Sequence, residues 1–147
     1  MEYQFSVSIL TRSPLCLRDI DLLKQFKKIE VGLSITTHDE GIKKIFEPHS
    51  PSILSRVQTL RTLHQERIGT YAFIGPMLPL NPKKLIKVLE GSIDAVLIDR
   101  MNYSNKVKAI YRKAELDPYL EEDYFRMVGE ELKEGFEHKG IPASIIF

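Results

Sequence analysis

An α/β fold built on a parallel sheet is what this sequence predicts, and three observations carry that expectation. Short apolar runs recur along the chain, at residues 4–11 (QFSVSILT), 29–36, 69–74 and 94–98 (DAVLI). Amphipathic stretches of helical length separate them. Polar and turn-forming residues gather directly after each run. Alternation of this kind implies parallel strands joined by right-handed crossovers. Two architectures satisfy it, a doubly wound sheet and part of a βα barrel, and both place function at the C-terminal ends of the strands.

The elements follow in order. Residues 4–11 alternate and then turn apolar, as in a strand buried on at least one face, and Thr11-Arg12-Ser13-Pro14 ends it. A helix fits residues 18–28, with Ile20, Leu23 and Phe26 on one stripe and Asp19 and Asp21 near its positive N-terminal end. In residues 29–36, Val31, Leu33 and Ile35 alternate with Gly32, Ser34 and Thr36, so one face is small and polar. The connection at 37–51 is long and holds a short helical piece at 40–46.

Ser50 as N-cap and Pro51 at the first helical position open a long helix with the stripe Ile53, Leu54, Val57, Leu60 and Leu63. After the strand at 69–74, Asn81-Pro82 repeats that start for a shorter helix carrying Leu85, Ile86 and Leu89. The strand at 94–98 has the wholly apolar character of a buried one. Beyond Tyr103 the pattern is helical: Val107, Ile110, Tyr111 and Ala114 suit one helix, and Leu120, Tyr124, Val128, Leu132 and Phe136 mark a second. Residues 141–147 form a short terminal strand, which Pro142 weakens.

A chain of 147 residues holds one domain with a real core. Its 43% hydrophobic and 28% charged residues are those of a soluble globular protein. No apolar run approaches the roughly 20 residues of a spanning helix, so no membrane association is predicted. The opening MEYQFSVSILTRS lacks a basic n-region, and a cytoplasmic location is expected. Lys and Arg number 21 against 20 acidic residues. That balance supplies no broad positive field and argues against a nucleic-acid partner. Cys16 is the sole cysteine, which excludes an intrachain disulfide and a four-thiolate metal site within one chain.

The candidate chemistry sits at four strand ends: Thr11-Arg12-Ser13, residues 34–38, residues 75–79 and residues 99–103. Neither a glycine-rich phosphate loop nor a Gly-x-Ser-x-Gly elbow is present. His38, Asp39, Glu40, Glu47 and His49 share the long connection, but their spacing matches no recognised ligand pattern, so no metal site is predicted. Arg12 is either a fixed cation for a carboxylate or phosphate, or a solvated side chain. Ser34 either offers a hydroxyl to a ligand or is small for the sake of packing. Gly75 either admits a close approach or makes the turn before Pro76. Asp99 and Arg100 are either a mutual ion pair or ligand contacts. Tyr71 and Phe73 are expected in the core, and Cys16 is expected as a small apolar residue.

Several of these stretches are familiar. Thr11-Arg12-Ser13 with Leu15 and residues 18–23 (RDIDLL), then GLSITTHDE (32–40), IFEP (45–48), TYAFIGPMLP (70–79) and VLIDRMNY (96–103), resemble the radical SAM superfamily. Within it the resemblance is to the spore photoproduct lyase-like "DNA repair photolyase" proteins, over about residues 6–103. It implies a partial βα (TIM-like) barrel, here about four parallel strands with outer helices over residues 1–103. Residues 104–147 then form a C-terminal helical extension with a short terminal strand. It also implies S-adenosylmethionine as cofactor. By that resemblance Arg12 faces the cofactor's carboxylate, with Ser13 beside it. Ser34 bonds the ribose or amino-acid part, and Ile74 and Gly75 line the adenine. Asp99, Arg100 and Asn102 lie on the substrate side.

The family's Cys-x3-Cys-x2-Cys loop and its glycine-rich loop are absent from this chain. With one thiolate it is not expected to bind a [4Fe–4S] cluster or to be catalytic alone. The expected function is the C-terminal portion of a radical SAM-type protein, contributing part of a cofactor and substrate site. The alternative is a non-catalytic βα module for binding or scaffolding. Such a half barrel leaves an unpaired strand edge between Phe5 and Leu10, available to a protein partner or to a second copy. Another outcome is that the helix at 120–136 folds over the opening.

Overall fold

The computed structural model describes residues 5–147 and contains a five-stranded sheet and six α-helices. Strands β1 (Val7–Thr11), β2 (Ile29–Ser34), β3 (Gly69–Ile74), β4 (Ala95–Ile98) and β5 (Ala143–Ile145) lie side by side in chain order. Each neighbouring pair is parallel. The α/β class with a parallel sheet is therefore as expected, with the terminal strand making a fifth. An order without a reversal has no topological switch point, so the sheet is not doubly wound in the usual sense. Nor is it closed: β1 and β5 are its edges. Residue 4, where the first strand was expected to start, lies outside the described residues.

Local chemistry explains the helices. The expected helix at 18–28 shrinks to α1 (Ile20–Leu23), because a 3-10 turn over Pro14–Asp19 starts earlier. The Ser13 hydroxyl accepts the Leu15 N–H at 3.2 Å to open that turn. Of the stripe only Leu23 is buried, so little holds a longer helix down. In α2 (Glu40–Phe46), Asp39 caps the N-terminus by accepting from Gly41 and Ile42. The next helix, α3 (Ile53–Gln65), is capped by Ser52 rather than Ser50. Pro51 is outside it, its carbonyl taken by the Arg56 Nε–H at 3.0 Å. Glu40 supplies a second cap from a distance, its Oε1 accepting the Ile53 N–H at 2.5 Å and the Leu54 N–H at 3.3 Å. Asn81 opens α4 (Pro82–Leu89) as expected. Then follow α5 (Ser104–Lys113), a 3-10 turn at Asp117–Leu120 and α6 (Glu122–Glu137). Among the described residues no helix is long and apolar enough to cross a membrane.

Strand side chains alternate between two environments. Val31, Leu33, Ala72, Ile74, Val96, Ile98 and Ala143 share one core with Val57, Leu60 and Leu63 of α3, Leu85 and Leu89 of α4, and Phe125, Val128, Leu132 and Phe136 of α6. The long C-terminal helix is thus the crossover between β4 and β5, packed beside α4. It does not fold over the opening, because its apolar stripe is spent on that core. A β-carbon at Gly135 would lie 2.3 Å from Ile86 Cδ1, so the two helices meet closely there. The opposite face of the sheet presents Leu10, Gly32, Tyr71, Phe73 and Leu97, and Leu10 is 48% exposed on it.

Candidate functional site

A cavity of about 440 Å³ opens at the C-terminal ends of β1 to β4, on the face away from the core helices. Arg12, Ser34, Gly75, Asp99, Arg100 and Asn102 line it together, with Leu10, Phe73, Met101 and Tyr103 among its other walls. Two residues that the resemblance assigns to the cofactor stand elsewhere. Ile74 precedes Gly75 by one position, so its side chain takes the other side of β3 and is fully buried in the helical core. Ser13 caps the 3-10 turn, and its N–H bonds Thr11 Oγ1 at 3.0 Å.

The floor is a glycine with an aromatic ring laid over it. A β-carbon at Gly75 would fall 2.5 Å from the Phe73 ring and 3.1 Å from the Asp99 β-carbon, so glycine is required where the aromatic lies over the strand end. The Gly75–Pro76 peptide bond is cis. The chain then crosses the ends of the neighbouring strands. Met77 N–H donates to Asp99 O, and Leu78 N–H donates to Thr36 O, each at 3.0 Å. Thr37 Oγ1 donates to Pro79 O at 2.8 Å. Tyr71 is buried as expected, on the sheet face away from the core helices, whereas Phe73 is half-buried under the cavity, which corrects the expectation that it is a core residue.

Charged groups form the rim. Asp99 and Arg100 do not pair with each other. Asp99 Oδ2 accepts from Asn102 Nδ2 at 3.0 Å. Arg100 Nη1 lies 2.6 Å from both carboxylate oxygens of Glu122, with its guanidinium 5.9 Å from the centre of the Phe147 ring. Arg12 donates from Nε to Glu47 Oε1 at 3.2 Å. Tyr103 has a left-handed backbone (φ 59°) and stands 78% exposed beside the cavity, with the Lys106 ammonium 5.1 Å from its ring centre.

The long connection is tied down through its polar residues. Asp39 and Glu40 cap helices, Glu47 pairs with arginines, and His38 Nδ1 accepts the Asn81 N–H at 3.2 Å. Burial pushes the His38 imidazole below its ordinary value; Asp39 opposes that shift and Lys84 adds to it. Cys16 is half-buried, donates to Ser13 O at 3.5 Å, and has its thiol pushed up by burial. Among the described residues no three His, Cys, Asp or Glu side chains converge as metal ligands. Sequence reasoning missed Arg56, which is fully buried beneath the site. The signal was available: Arg56 falls three residues after Ile53 and four before Leu60, on the apolar stripe of α3.

No family model matches the chain. It is similar to the uncharacterized protein MJ0683 of Methanocaldococcus jannaschii, at 51% identity over 73 residues that cover 50% of this chain and 28% of that protein. It is also similar to the uncharacterized protein ORF301 of Acidianus two-tailed virus, at 25% identity over 138 residues that cover 83% of this chain and 46% of that protein. The chain therefore spans less than half the length of these curated relatives. No solved structure matches.

Proposed function

We propose that this chain is the C-terminal portion of a radical SAM-type protein of the spore photoproduct lyase-like kind, an arc of a βα barrel that contributes part of an S-adenosylmethionine and substrate site. The observation that carries the reading is the cavity: Arg12, Ser34 and Gly75 line it beside Asp99, Arg100 and Asn102. The parallel sheet in chain order, with its core helices on one face, supports a barrel arc. So does the greater length of both relatives, since an arc needs further strands to close.

The residues suit the cofactor's nucleoside and amino-acid parts. Arg12 supplies a guanidinium for a carboxylate, Ser34 a polar strand end, and Phe73, whose ring fills the space over Gly75, an aromatic wall for a purine. The volume is within the roughly 300–1,000 Å³ of small-molecule sites. S-adenosylmethionine supplies a sulfonium whose one-electron reduction begins radical chemistry. A [4Fe–4S] cluster does not suit this chain, because its only thiol is Cys16, beside the 3-10 turn. The chain's own part is to bind and orient, and the cluster falls to a separate polypeptide segment. We assign the docking of that segment, or of a second copy, to β1, which among the described residues pairs with β2 alone.

Titration calorimetry of the chain with S-adenosylmethionine tests the reading. Heat is expected, and Arg12→Ala and Ser34→Ala are each expected to weaken binding about tenfold, a loss typical of one charged or polar contact. No heat at millimolar ligand removes cofactor binding by this chain and leaves the non-catalytic scaffold reading.

A further inference from the structure

We infer that Glu47, fixed in place by the fully buried Arg56, is a positioning residue that holds the Arg12 guanidinium at the cavity rim for an anionic ligand group. The inference deepens the cofactor reading, on which it relies for the ligand's carboxylate; the positioning itself stands on the protein's own contacts.

An arginine keeps its charge at every accessible pH, and burying one is costly unless its donors and its charge are met. Arg56 is 0% exposed, and three contacts meet it. Nε donates to Pro51 O and Nη1 to Ser34 O, each at 3.0 Å, while Nη2 donates to Glu47 Oε2 at 2.5 Å. The Glu47 side chain is itself only 11% exposed. Its second oxygen, Oε1, accepts from Arg12 Nε at 3.2 Å. One carboxylate thus joins a buried cation on α3 to a cavity-lining cation at the end of β1. The same buried cation grips the backbone of Ser34 at the end of β2.

Neutralising Arg56 alone would not explain this arrangement. That task uses one oxygen of Glu47, and the other fixes Arg12, whose side chain is 45% exposed and otherwise free to sweep the solvent. Arg12 spends only Nε on the contact; among the described residues its two Nη groups have no hydrogen-bond partner. Those are the forked donors that take a carboxylate or phosphate end-on. The charges also leave an excess. Two guanidiniums share one carboxylate, whereas Arg100 across the cavity is matched by Glu122. The excess positive charge therefore stands on the Ser34 side of the cavity, and the Asp99 carboxylate, which accepts from the neutral Asn102 amide, stands on the β4 side.

Two ligands separate positioning from general support of the fold. S-adenosylmethionine carries a carboxylate, and 5′-methylthioadenosine keeps the nucleoside without it. Glu47→Gln is expected to weaken the first about tenfold and to leave the second unchanged, and to cause no further loss in an Arg12→Ala background. Equal weakening of both ligands, or additive losses, overturns the inference. A ligand-free measurement uses the arginine Nε–H resonances in NMR. In the unmodified protein, Arg12 Nε–H is expected to exchange with water more slowly than that of the exposed Arg61. Equal rates overturn the inference even if no variant folds. If neither ligand binds the unmodified chain, the cofactor reading fails, and the exchange comparison alone decides whether Glu47 positions Arg12.

Discussion

The ring of Tyr71 occupies the space that a side chain at Gly32 would need. The two residues are paired across β2 and β3, and a β-carbon built on Gly32 would lie 2.2 Å from the tyrosine Cε2 and Cζ. Lying across the glycine brings the phenol to β1, where its oxygen is 3.2 Å from Ser8 Oγ. One ring thus spans three strands on the face without core helices. Gly32→Ala is expected to cost about 1–3 kcal/mol, the usual penalty of overpacking. The cost should vanish in a Tyr71→Ala background, measured as the coupling in a denaturant double-mutant cycle.

Half-buried Tyr124 and fully buried Tyr111 differ in what their hydroxyls do. Tyr124 accepts the Leu80 N–H and donates to Leu78 O, both at 3.1 Å. Tyr111 is fully buried, and its hydroxyl finds no hydrogen-bond partner among the described residues. Tyr124→Phe should therefore destabilise by about 1–3 kcal/mol, because a backbone donor and acceptor lose their partner. Tyr111→Phe should be neutral or stabilising. Urea unfolding of the two variants side by side checks the contrast. Similar losses in both would overturn the contrast, since the substitution keeps the ring and removes only the hydroxyl.

Glu40 begins α2 and yet caps α3, thirteen residues on from it at Ile53. Glu40→Ala leaves two N–H groups at that helix end without their carboxylate. It should lower stability by about 1 kcal/mol, as the loss of an N-cap does. Restoring less than the full bond with Glu40→Gln should recover part of the loss, read as the shift in urea midpoint.

A dependence on pH follows from His38. Its folded-state affinity for a proton lies below that of the free imidazole, chiefly through burial. Nδ1 must keep its lone pair to accept from Asn81. Stability from this contact is present above the unfolded value of about 6.5 and is lost as pH falls through the lower folded value. Tm should therefore decline from pH 7.5 towards pH 5, and His38→Gln should flatten part of that decline. An identical pH profile in the variant would remove His38 from the account.

Much of the architecture was legible because strand and helix periods differ so plainly. The cavity walls were legible for a geometric reason: in parallel strands, residues just after each strand converge at one end. Arg12, Ser34, Gly75, Asp99, Arg100 and Asn102 met on that ground. Ile74 did not, because adjacency in sequence means opposite faces in a strand. The helix expected at 18–28 is shorter because apolar spacing is not burial: Phe26, at the end of that stripe, stands 37% exposed. Pro142 did not prevent the terminal strand, since it precedes β5 on an edge and serves only as an acceptor, for Val96 N–H at 2.9 Å. The Glu47–Arg56 contact was out of reach of pattern, because it joins a loop to a buried helix face through three-dimensional packing alone.

The segment after Gly75, stitched by Met77 to Asp99 and by Leu78 to Thr36, divides the site into two cooperative units. Its amides are bonded to Asp99 and Thr36, just beyond β4 and β2, so they are expected to open with the sheet. The stretch from Arg100 to Tyr103 is held by side-chain contacts at the surface and is expected to open at lower free energy. Hydrogen–deuterium exchange is therefore expected to be slower at the Met77 and Leu78 amides than at residues 101–103.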